Sequence, residues 1–298
     1  MTETPRLPAF AKKILVYGAL VFAALYSVWP ITIMAEEGFD IDLSPIFSGK
    51  GIALAGGVVP YYSGGIHPST IHYQDALSFS GFPRLMENTL AIAGISIAIA
   101  LVAGIAVAYA LARVNIKGKS VISYMLLALR AVSPFVVVVP LYIVYNKAGL
   151  WNTYSGAAVA EELLVLSVAV WMLRGFFSDI PKEIYDAAAI SGATEWQIFR
   201  RVALRMVIPG IVVTALFAFV LVWNEFVISD ILTGPATKTV AVGVWTGLGE
   251  NTQAFRVIRF DDLNAAGFLS WVPAIAVMLA IRRYLAKGFS LGTASAEA

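Results

Sequence analysis

Residues Ser178 to Pro209 read SDIPKEIYDAAAISGATEWQIFRRVALRMVIP, a run of regularly spaced charges between two strongly apolar segments. Pro181 suits a first helical turn, because its missing N–H would be unpaired there in any case. Residues 187–189 are alanines, which are strong helix formers, and Gly192 can end a helix in the left-handed conformation. The first half of the stretch therefore predicts a helix that ends in a tight glycine turn.

A second helix is predicted directly after that turn, because Thr194 and Gln197 have the spacing of a capping box. The whole stretch is thus interpreted as helix, glycine turn and helix, lying at a membrane surface. The first helix offers a face of small residues, which allows another protein to approach closely. An amphipathic connector without a partner is the alternative interpretation.

The composition of the 298-residue chain predicts a membrane protein. Hydrophobic residues make up 59% and charged residues only 13%, with a mean hydropathy of +0.79, whereas soluble domains carry about 25% charged residues. The net charge of +2 and the lack of a basic run give no indication of nucleic acid. The chain has no cysteine, which excludes disulfides and thiolate sites.

No Gly-x-x-x-x-Gly-Lys-Ser/Thr motif for phosphate binding occurs in the sequence. Ser-Gly-Lys-Gly at residues 48–51 lacks the first glycine and the terminal hydroxyl residue. If ATP drives this protein, we therefore expect another subunit to hydrolyse it. The chain itself is not expected to be an enzyme.

Six apolar segments have the length to cross a hydrocarbon core of about 30 Å at about 1.5 Å per residue. The predicted fold is an all-α integral membrane protein with six transmembrane helices: Ile14–Met34, Asn88–Ala112, Val121–Tyr145, Gly156–Phe177, Val207–Leu232 and Ala265–Ile281. In the second span, the small residues Ala100, Gly104, Ala108 and Ala112 recur every four residues and predict close helix packing.

Several details of these segments are expected from single residues. Pro30 should bend or end the first span, and Arg130 and two prolines interrupt the third. Glu161 and Glu162 are expected near one end of the fourth span. Two histidines, His67 and His72, lie in the polar segment 35–87, where surface positions are expected rather than a metal site.

Six spans place both termini on one side, and the Lys and Arg residues predict which side, because cytoplasmic loops are enriched in them. The set that contains the termini and the 178–209 loop holds fourteen, against six in the opposite set. We therefore expect the termini and this loop in the cytoplasm. The fourteen are Arg6, Lys12, Lys13, Arg113, Lys117, Lys119, Arg174, Lys182, Arg200, Arg201, Arg205, Arg282, Arg283 and Lys287.

The 178–209 stretch resembles the cytoplasmic "EAA" loop of ABC-importer permeases, in which Glu-Ala-Ala is followed three residues later by Gly-Ala. The residues that carry this resemblance are Asp186, Ala187, Ala188, Gly192, Ala193, Phe199 and Pro209. The sequence departs from the family pattern at three positions. Asp186 replaces the usual Glu, Ser191 the usual Asp before the glycine, and Arg205 a common Pro.

Further short motifs resemble the carbohydrate-uptake ABC permeases of the maltose-permease second-subunit type, over residues 85 to 292. They are Asn88-Thr89-Leu90, residues 108–113, 139–142, 149–154, 174–177, 180–183, 223–226 and 288–292. The resemblance implies two regions: 1–84, with an N-terminal tail, the first span and an extracytoplasmic loop, and 85–298, a permease core with spans two to six. The loop within residues 35–84 matches the family poorly.

The resemblance implies a multi-pass permease of the cell membrane, assembled with a second permease subunit as a heterodimer. Two ATP-binding subunits, which bind ATP and Mg, and an extracytoplasmic solute-binding protein complete the importer. This chain would bind no cofactor of its own. The coupling helix between spans four and five would contact the ATPase through Glu183, Asp186, Ala187, Ala188, Ser191, Gly192 and Ala193.

A solute path is predicted at Arg130, Asn224 and Glu225, because a charged side chain within a span usually faces the bundle interior or a watery cavity. In the alternative interpretation Arg130 caps a broken helix and Glu225 reaches the outer surface. The favoured function is a sugar importer. A polyol or glycerol phosphate importer is an alternative, and a secondary transporter is a weaker one, since no internal repeat is evident.

Overall fold

The computed structural model describes residues 9–39, 70–78, 81–246 and 260–294, and within these ranges every regular element is a helix. In chain order they are α1 (Ala9–Gly38), α2 (Ile71–Ser78), α3 (Phe82–Arg113), α4 (Lys119–Ala131), α5 (Pro134–Ala148), α6 (Tyr154–Ser178), α7 (Lys182–Ile190), α8 (Glu195–Met206), α9 (Ile208–Trp223), α10 (Val227–Leu232), α11 (Val240–Trp245) and α12 (Phe260–Ala294). The all-α prediction is confirmed for these residues.

Four helical segments in the described residues are long and apolar enough to cross a membrane: Lys13–Glu36, Phe82–Arg113, Tyr154–Ser178 and Leu263–Arg282. Two further segments are pairs of helices, α4 with α5 and α8 with α9, which are bent by 87° and 68°. The described residues therefore hold four candidate spans formed by a single helix each, or six candidate spans when each bent pair is counted as one.

The segment predicted as the third span forms two helices, α4 and α5, that meet at an angle of 87°. Val132 and Ser133 are extended, with ψ of 128° and 129°, and Pro134 begins α5. A proline disfavours the helical conformation in the residue before it and is itself well placed in a first helical turn. The bend therefore follows from the local sequence, although Val121–Tyr145 was predicted as one segment.

The fifth span was predicted to run without a break to Leu232, and this is wrong. α9 ends at Trp223 and α10 begins at Val227. The side-chain amide of Asn224 donates to the carbonyl of Val220 at 2.8 Å, and the Glu225 carboxylate accepts from the N–H of Ile228 at 2.8 Å. Glu225 thus caps the first turn of α10, while Asn224 adds a second donor to the Val220 carbonyl, which also accepts from the backbone N–H of Asn224 at 3.3 Å.

Two smaller predictions also need correction. Of the two effects predicted for Pro30, a bend or an end of the first helix, the second does not occur, because α1 continues through Pro30 to Gly38. His72 lies in α2 and is buried, not at the surface, because this short helix interrupts the segment that was predicted to be a polar loop. His67 and most of the loop within residues 35–84 lie outside the described residues.

The described residues form two units, of which the smaller contains α1, α2 and α12 as far as Leu269. In it, the ring of Tyr73 contacts the rings of Phe39 and Phe268, with centroid distances of 4.6 and 6.2 Å. Gly38 lies directly against Tyr73 and Ala265. The ring of Tyr73 therefore contributes to the packing of this unit.

The larger unit contains α3 to α11 and the rest of α12. Its core is formed by α3, α6 and α9, and small residues allow their close approach, among them Ala93, Ala158 and Ala218. A Cβ at Gly104 would lie 3.4 Å from Ala169 and from Leu173 of α6. The predicted small-residue stripe of the second span is therefore confirmed as a packing surface.

Candidate functional site

The predicted helix–glycine–helix unit, residues 182–206, is present as α7, a turn at Gly192 and α8. Gly192 has φ of +80°, as the sequence predicted. The capping box is also present: the N–H of Gln197 donates to the Thr194 hydroxyl at 3.3 Å, and the N–H of Thr194 donates to the Gln197 side chain at 3.0 Å. Pro181 precedes the first helical turn rather than lying within it, since α7 begins at Lys182.

Five of the seven predicted contact residues lie on the exposed face of this unit. Ala188 and Ala193 are half-buried, whereas Glu183, Asp186, Ala187, Ser191 and Gly192 are exposed. Two apolar side chains stand on either side of the glycine turn, Ile190 at 88% and Trp196 at 65% exposure. The outer surface therefore combines small, acidic and apolar groups, a composition that suits contact with another protein.

The inner face of the unit is anchored to the end of α3. Tyr185 is 3% exposed, and the guanidinium carbon of Arg113 lies 4.2 Å from the centroid of its ring. The ring of Tyr109 contacts Phe177 and Phe199, with centroid distances of 5.4 and 4.7 Å. A cation–π contact of this kind contributes about 0.5–2 kcal/mol, and it connects α7 directly to a long helix of the bundle.

The Tyr185 phenol stays neutral near pH 7. Burial raises its pKa above the ordinary value, the neighbouring Tyr109 raises the pKa further, and the charge of Arg113 opposes both. A neutral ring retains the electron-rich face that attracts the guanidinium. The anchor is therefore not sensitive to pH in the physiological range.

A second polar constellation, which the sequence did not predict, holds the segment 231–240 in place. We call Asn88, Thr89, Asn152 and Tyr154 the polar frame. The Asn88 amide donates to the carbonyls of Ala236 and Lys238, at 3.2 and 2.9 Å. The N–H of Val240 donates to Thr89 at 2.8 Å, and Tyr154 donates to Asn88 at 2.7 Å.

Asn152 supplies the other half of the polar frame. Its side-chain oxygen accepts from the N–H of Gly234 at 3.0 Å, the N–H of Thr237 at 3.2 Å and the hydroxyl of Thr237 at 2.9 Å. Asn152 is also left-handed, with φ of 56°, which asparagine tolerates better than most residues. The four residues of the polar frame belong to the short motifs at 88–90 and 149–154. In the sequence these motifs indicated the resemblance to ABC permeases, but they did not indicate a structural role.

The predicted solute-path residues are not joined to one another. Arg130 lies in the last turn of α4 with an exposed side chain, and no hydrogen bond or ion pair involves it among the described residues. Asn224 is exposed and Glu225 half-buried, and both bond to backbone groups at the break after α9. Their assignment to a solute path remains a prediction.

Glu161 and Glu162 lie toward the beginning of α6, near one end of the fourth span as predicted. Glu161 is also buried, with only 1% exposure, which the sequence did not predict. Ser229 of α10 donates to its carboxylate at 3.4 Å, and Ser96 of α3 donates to Glu162 at 2.9 Å. The second oxygen of each carboxyl group is buried and has no hydrogen-bond partner among the described residues. The serines come from distant parts of the chain, so that no local pattern indicated this arrangement.

No group of three or more His, Cys, Asp or Glu side chains with metal-binding geometry occurs in the described ranges. The fold and the site together define the class of this protein. It is a helical membrane protein with bent helix pairs and an exposed helix–glycine–helix unit.

The chain belongs to the family of binding-protein-dependent transport system inner membrane components, which it matches over residues 78–288. It is 30% identical over 246 residues to the maltose/maltodextrin transport system permease protein MalG of Vibrio parahaemolyticus, covering 76% of this chain and 81% of the relative. It is 28% identical over 235 residues to the trehalose transport system permease protein SugB of Mycobacterium tuberculosis, covering 77% and 84%.

A solved structure shows the same fold. It is that of a bacterial ABC transporter involved in the import of the acidic polysaccharide alginate, and one of its chains has a TM-score of 0.69 at 18% identity, covering 94% of this chain and 99% of that chain. The protein is thus a multi-pass inner-membrane permease component of an ABC importer. Its family is a transport component and not a catalytic one.

Proposed function

We propose that this chain is the permease subunit of an ATP-driven, binding-protein-dependent sugar importer, in which it forms half of the translocation path. The observation that carries this proposal is the helix–glycine–helix unit, which presents Asp186, Ala187 and Gly192 outward. The same unit is anchored through Tyr185 to Arg113 at the end of α3. An ATPase that contacts the outer face would therefore act on the bundle through a rigid connection.

The sugar is supported by the relatives, whose names specify maltose, maltodextrin and trehalose. The proposed partners are a second permease subunit, two ATP-binding subunits that bind ATP and Mg, and an extracytoplasmic solute-binding protein. This chain binds no cofactor in the proposed assembly. The ATP-bound ATPase subunits favour whichever state of the permease they bind more tightly. Only a difference between their affinities for the inward-facing and the outward-facing state can shift the permease from one to the other.

The proposed orientation places the helix–glycine–helix unit and both termini in the cytoplasm, in line with the fourteen-to-six distribution of Lys and Arg. The chain has no cysteine, so that any labelling of a variant with one introduced cysteine reports on that position alone. In intact cells an impermeant thiol reagent should label a Thr246→Cys variant and spare a Lys117→Cys variant. Both positions are exposed. Reversed labelling would overturn the orientation.

ATPase docking is tested by cross-linking in the assembled importer. A cysteine at Ala187, which is exposed, should cross-link to the ATP-binding subunit through a short bifunctional thiol and amine reagent. The Thr246→Cys variant is the control and should give no such product. A cross-link from Thr246→Cys alone, or failure of any ATP-binding subunit to co-purify with the unmodified chain, would contradict the proposal.

A further inference from the structure

A groove of about 440 Å³ runs along the last turns of α6 in the larger unit. Trp171, Gly175 and Ser178 line it, and their spacing places them on one face of the helix. All three are exposed. A Cβ at Gly175 would meet nothing within 4 Å, so that the missing side chain of this glycine leaves the middle of the groove open.

Two opposite charges line the same groove. Arg174 precedes the glycine and is half-buried, whereas Asp179 directly follows the end of α6 and is exposed. Within the described part of the chain, neither side chain takes part in a hydrogen bond or an ion pair. The guanidinium group is a cationic donor and the carboxylate an anionic acceptor. The groove therefore offers separate partners for the two charges of a zwitterion.

The length of α6 places the groove at the membrane surface. Its 25 residues extend over about 37 Å at about 1.5 Å per residue, which exceeds a hydrocarbon core of about 30 Å. The last turns of the helix therefore lie at the depth of the lipid headgroups. Trp171 is 54% exposed, and tryptophan is enriched at this depth, where its ring meets both apolar and polar groups.

The charges of the groove suit a lipid headgroup better than a protein helix. A helix packed into the groove would remove Arg174 and Asp179 from water without pairing them, which is costly. A headgroup with a phosphate and an ammonium group pairs both, because arginine binds phosphate through charge-assisted hydrogen bonds and a carboxylate accepts from an ammonium group.

We propose that this groove binds the headgroup of a phospholipid that carries a primary ammonium group, of which phosphatidylethanolamine is the simplest. The phosphate accepts from Arg174, the ammonium group donates to Asp179, and the acyl chains extend past Trp171 into the hydrocarbon core. Phosphatidylcholine has no N–H to donate to the carboxylate, and phosphatidylglycerol has no cation. The site goes beyond the proposed function and does not depend on it.

Protection of a single cysteine by lipid tests the site in the complete importer in detergent micelles. Ser178→Cys places a thiol in the groove, and Lys117→Cys, which is exposed just after α3 and does not line the groove, is the matched control. The micelles contain phosphatidylethanolamine, phosphatidylcholine or phosphatidylglycerol with identical acyl chains. The first lipid should slow the reaction of Ser178→Cys with N-ethylmaleimide at a mole fraction about tenfold lower than the other two. The rate for Lys117→Cys should be the same with all three.

Further substitutions, each combined with Ser178→Cys, test the two charges. Asp179→Asn should remove the preference for phosphatidylethanolamine over phosphatidylcholine, because the carboxylate is the acceptor that distinguishes these lipids. Arg174→Gln should weaken protection by all three lipids by about tenfold, since each carries a phosphate group. Arg201→Gln removes an exposed arginine outside the groove and should change neither result. Rates are compared with and without lipid in the same variant, so that a change in thiol reactivity cancels.

Equal protection of Ser178→Cys by phosphatidylethanolamine and phosphatidylcholine would overturn the inference. A preference that survives Asp179→Asn, or protection that Arg174→Gln leaves unchanged, would overturn it as well. A thiol at residue 178 that reacts in no micelle would show that a partner protein covers the groove, which also contradicts a lipid site. The readout is lipid binding and not sugar uptake, so that its failure is distinct from a failure of the proposed function.

Discussion

The helix–glycine–helix unit and the segment 231–240 are both polar connections between apolar helices, but different kinds of contact hold them in place. In the first, the turn at Gly192 and the capping box between Thr194 and Gln197 are local, within a few residues of one another. In the second, Asn88 and Asn152 reach across more than eighty residues of sequence. A local device sets the shape of the first region, whereas tertiary structure sets the position of the second.

The largest effect is expected at Asn152, because one side-chain oxygen accepts three hydrogen bonds. Asn152→Leu would leave the buried N–H of Gly234 and the hydroxyl of Thr237 without this acceptor, whereas the N–H of Thr237 keeps the carbonyl of Gly234 at 3.1 Å. The variant would also add strain at a positive φ. We expect a loss of about 3–5 kcal/mol in the free energy of unfolding. Thermal unfolding in detergent measures this loss.

Asn152→Asp is the matched control, because aspartate keeps the acceptor oxygen and tolerates the left-handed conformation. It should unfold close to the wild-type temperature. If Asn152→Leu is equally stable, the segment 231–240 is held by something other than the polar frame.

A smaller effect is expected at Asn88, which is 1% exposed and donates to two carbonyl groups of the segment. Asn88→Ala removes these bonds and also the acceptor of Tyr154, and it should cost about 2–3 kcal/mol of unfolding free energy. Tyr154→Phe removes only the third bond and should cost about 1 kcal/mol. Equal losses in the two variants would show that the carbonyl contacts of Asn88 contribute nothing.

The smallest effect is expected in the local device. Thr194→Ala removes the side-chain acceptor of the capping box and should destabilise the beginning of α8 by about 1 kcal/mol. Thr194→Ser keeps the hydroxyl group and should be neutral. Amide hydrogen exchange at the start of α8 measures the difference, and faster exchange confined to Thr194→Ala is the expected result.

This comparison also explains what could be predicted from the sequence. Helix starts and stops follow from residues close in the chain, which is why the glycine turn, the capping box and the packing stripe around Gly104 were predicted correctly. The proline at residue 134 likewise marked the interruption of the third span. In each case the physical cause, a positive φ, a cap or a missing side chain, acts over one or two helical turns.

The features that the sequence did not predict depend on partners far away in the chain. The position of Glu161 and Glu162 near one end of a span could be predicted, but their contacts could not, because their serine partners, Ser229 and Ser96, come from other helices. The break after Trp223 was missed for a different reason, since the hydrogen bonds of Asn224 and Glu225 to the backbone were not considered when these residues were assigned to a solute path. The sequence held one signal for the polar frame: Asn and Thr residues stand at the ends of apolar segments.

The central claim is that the helix–glycine–helix unit transmits the action of the ATPase to the bundle, and one substitution tests it most directly. Gly192→Val places a β-branched side chain at φ of +80° and should strain the turn by about 1–3 kcal/mol. The same change at Gly175, where a Cβ would meet nothing within 4 Å and φ is not positive, is the control. Sugar uptake and ATP hydrolysis by the reconstituted importer are measured for both variants. The account predicts that Gly192→Val inserts into the membrane normally but shows weakened ATPase docking or lost uptake, while Gly175→Val behaves as the wild type. Wild-type uptake in Gly192→Val would contradict it.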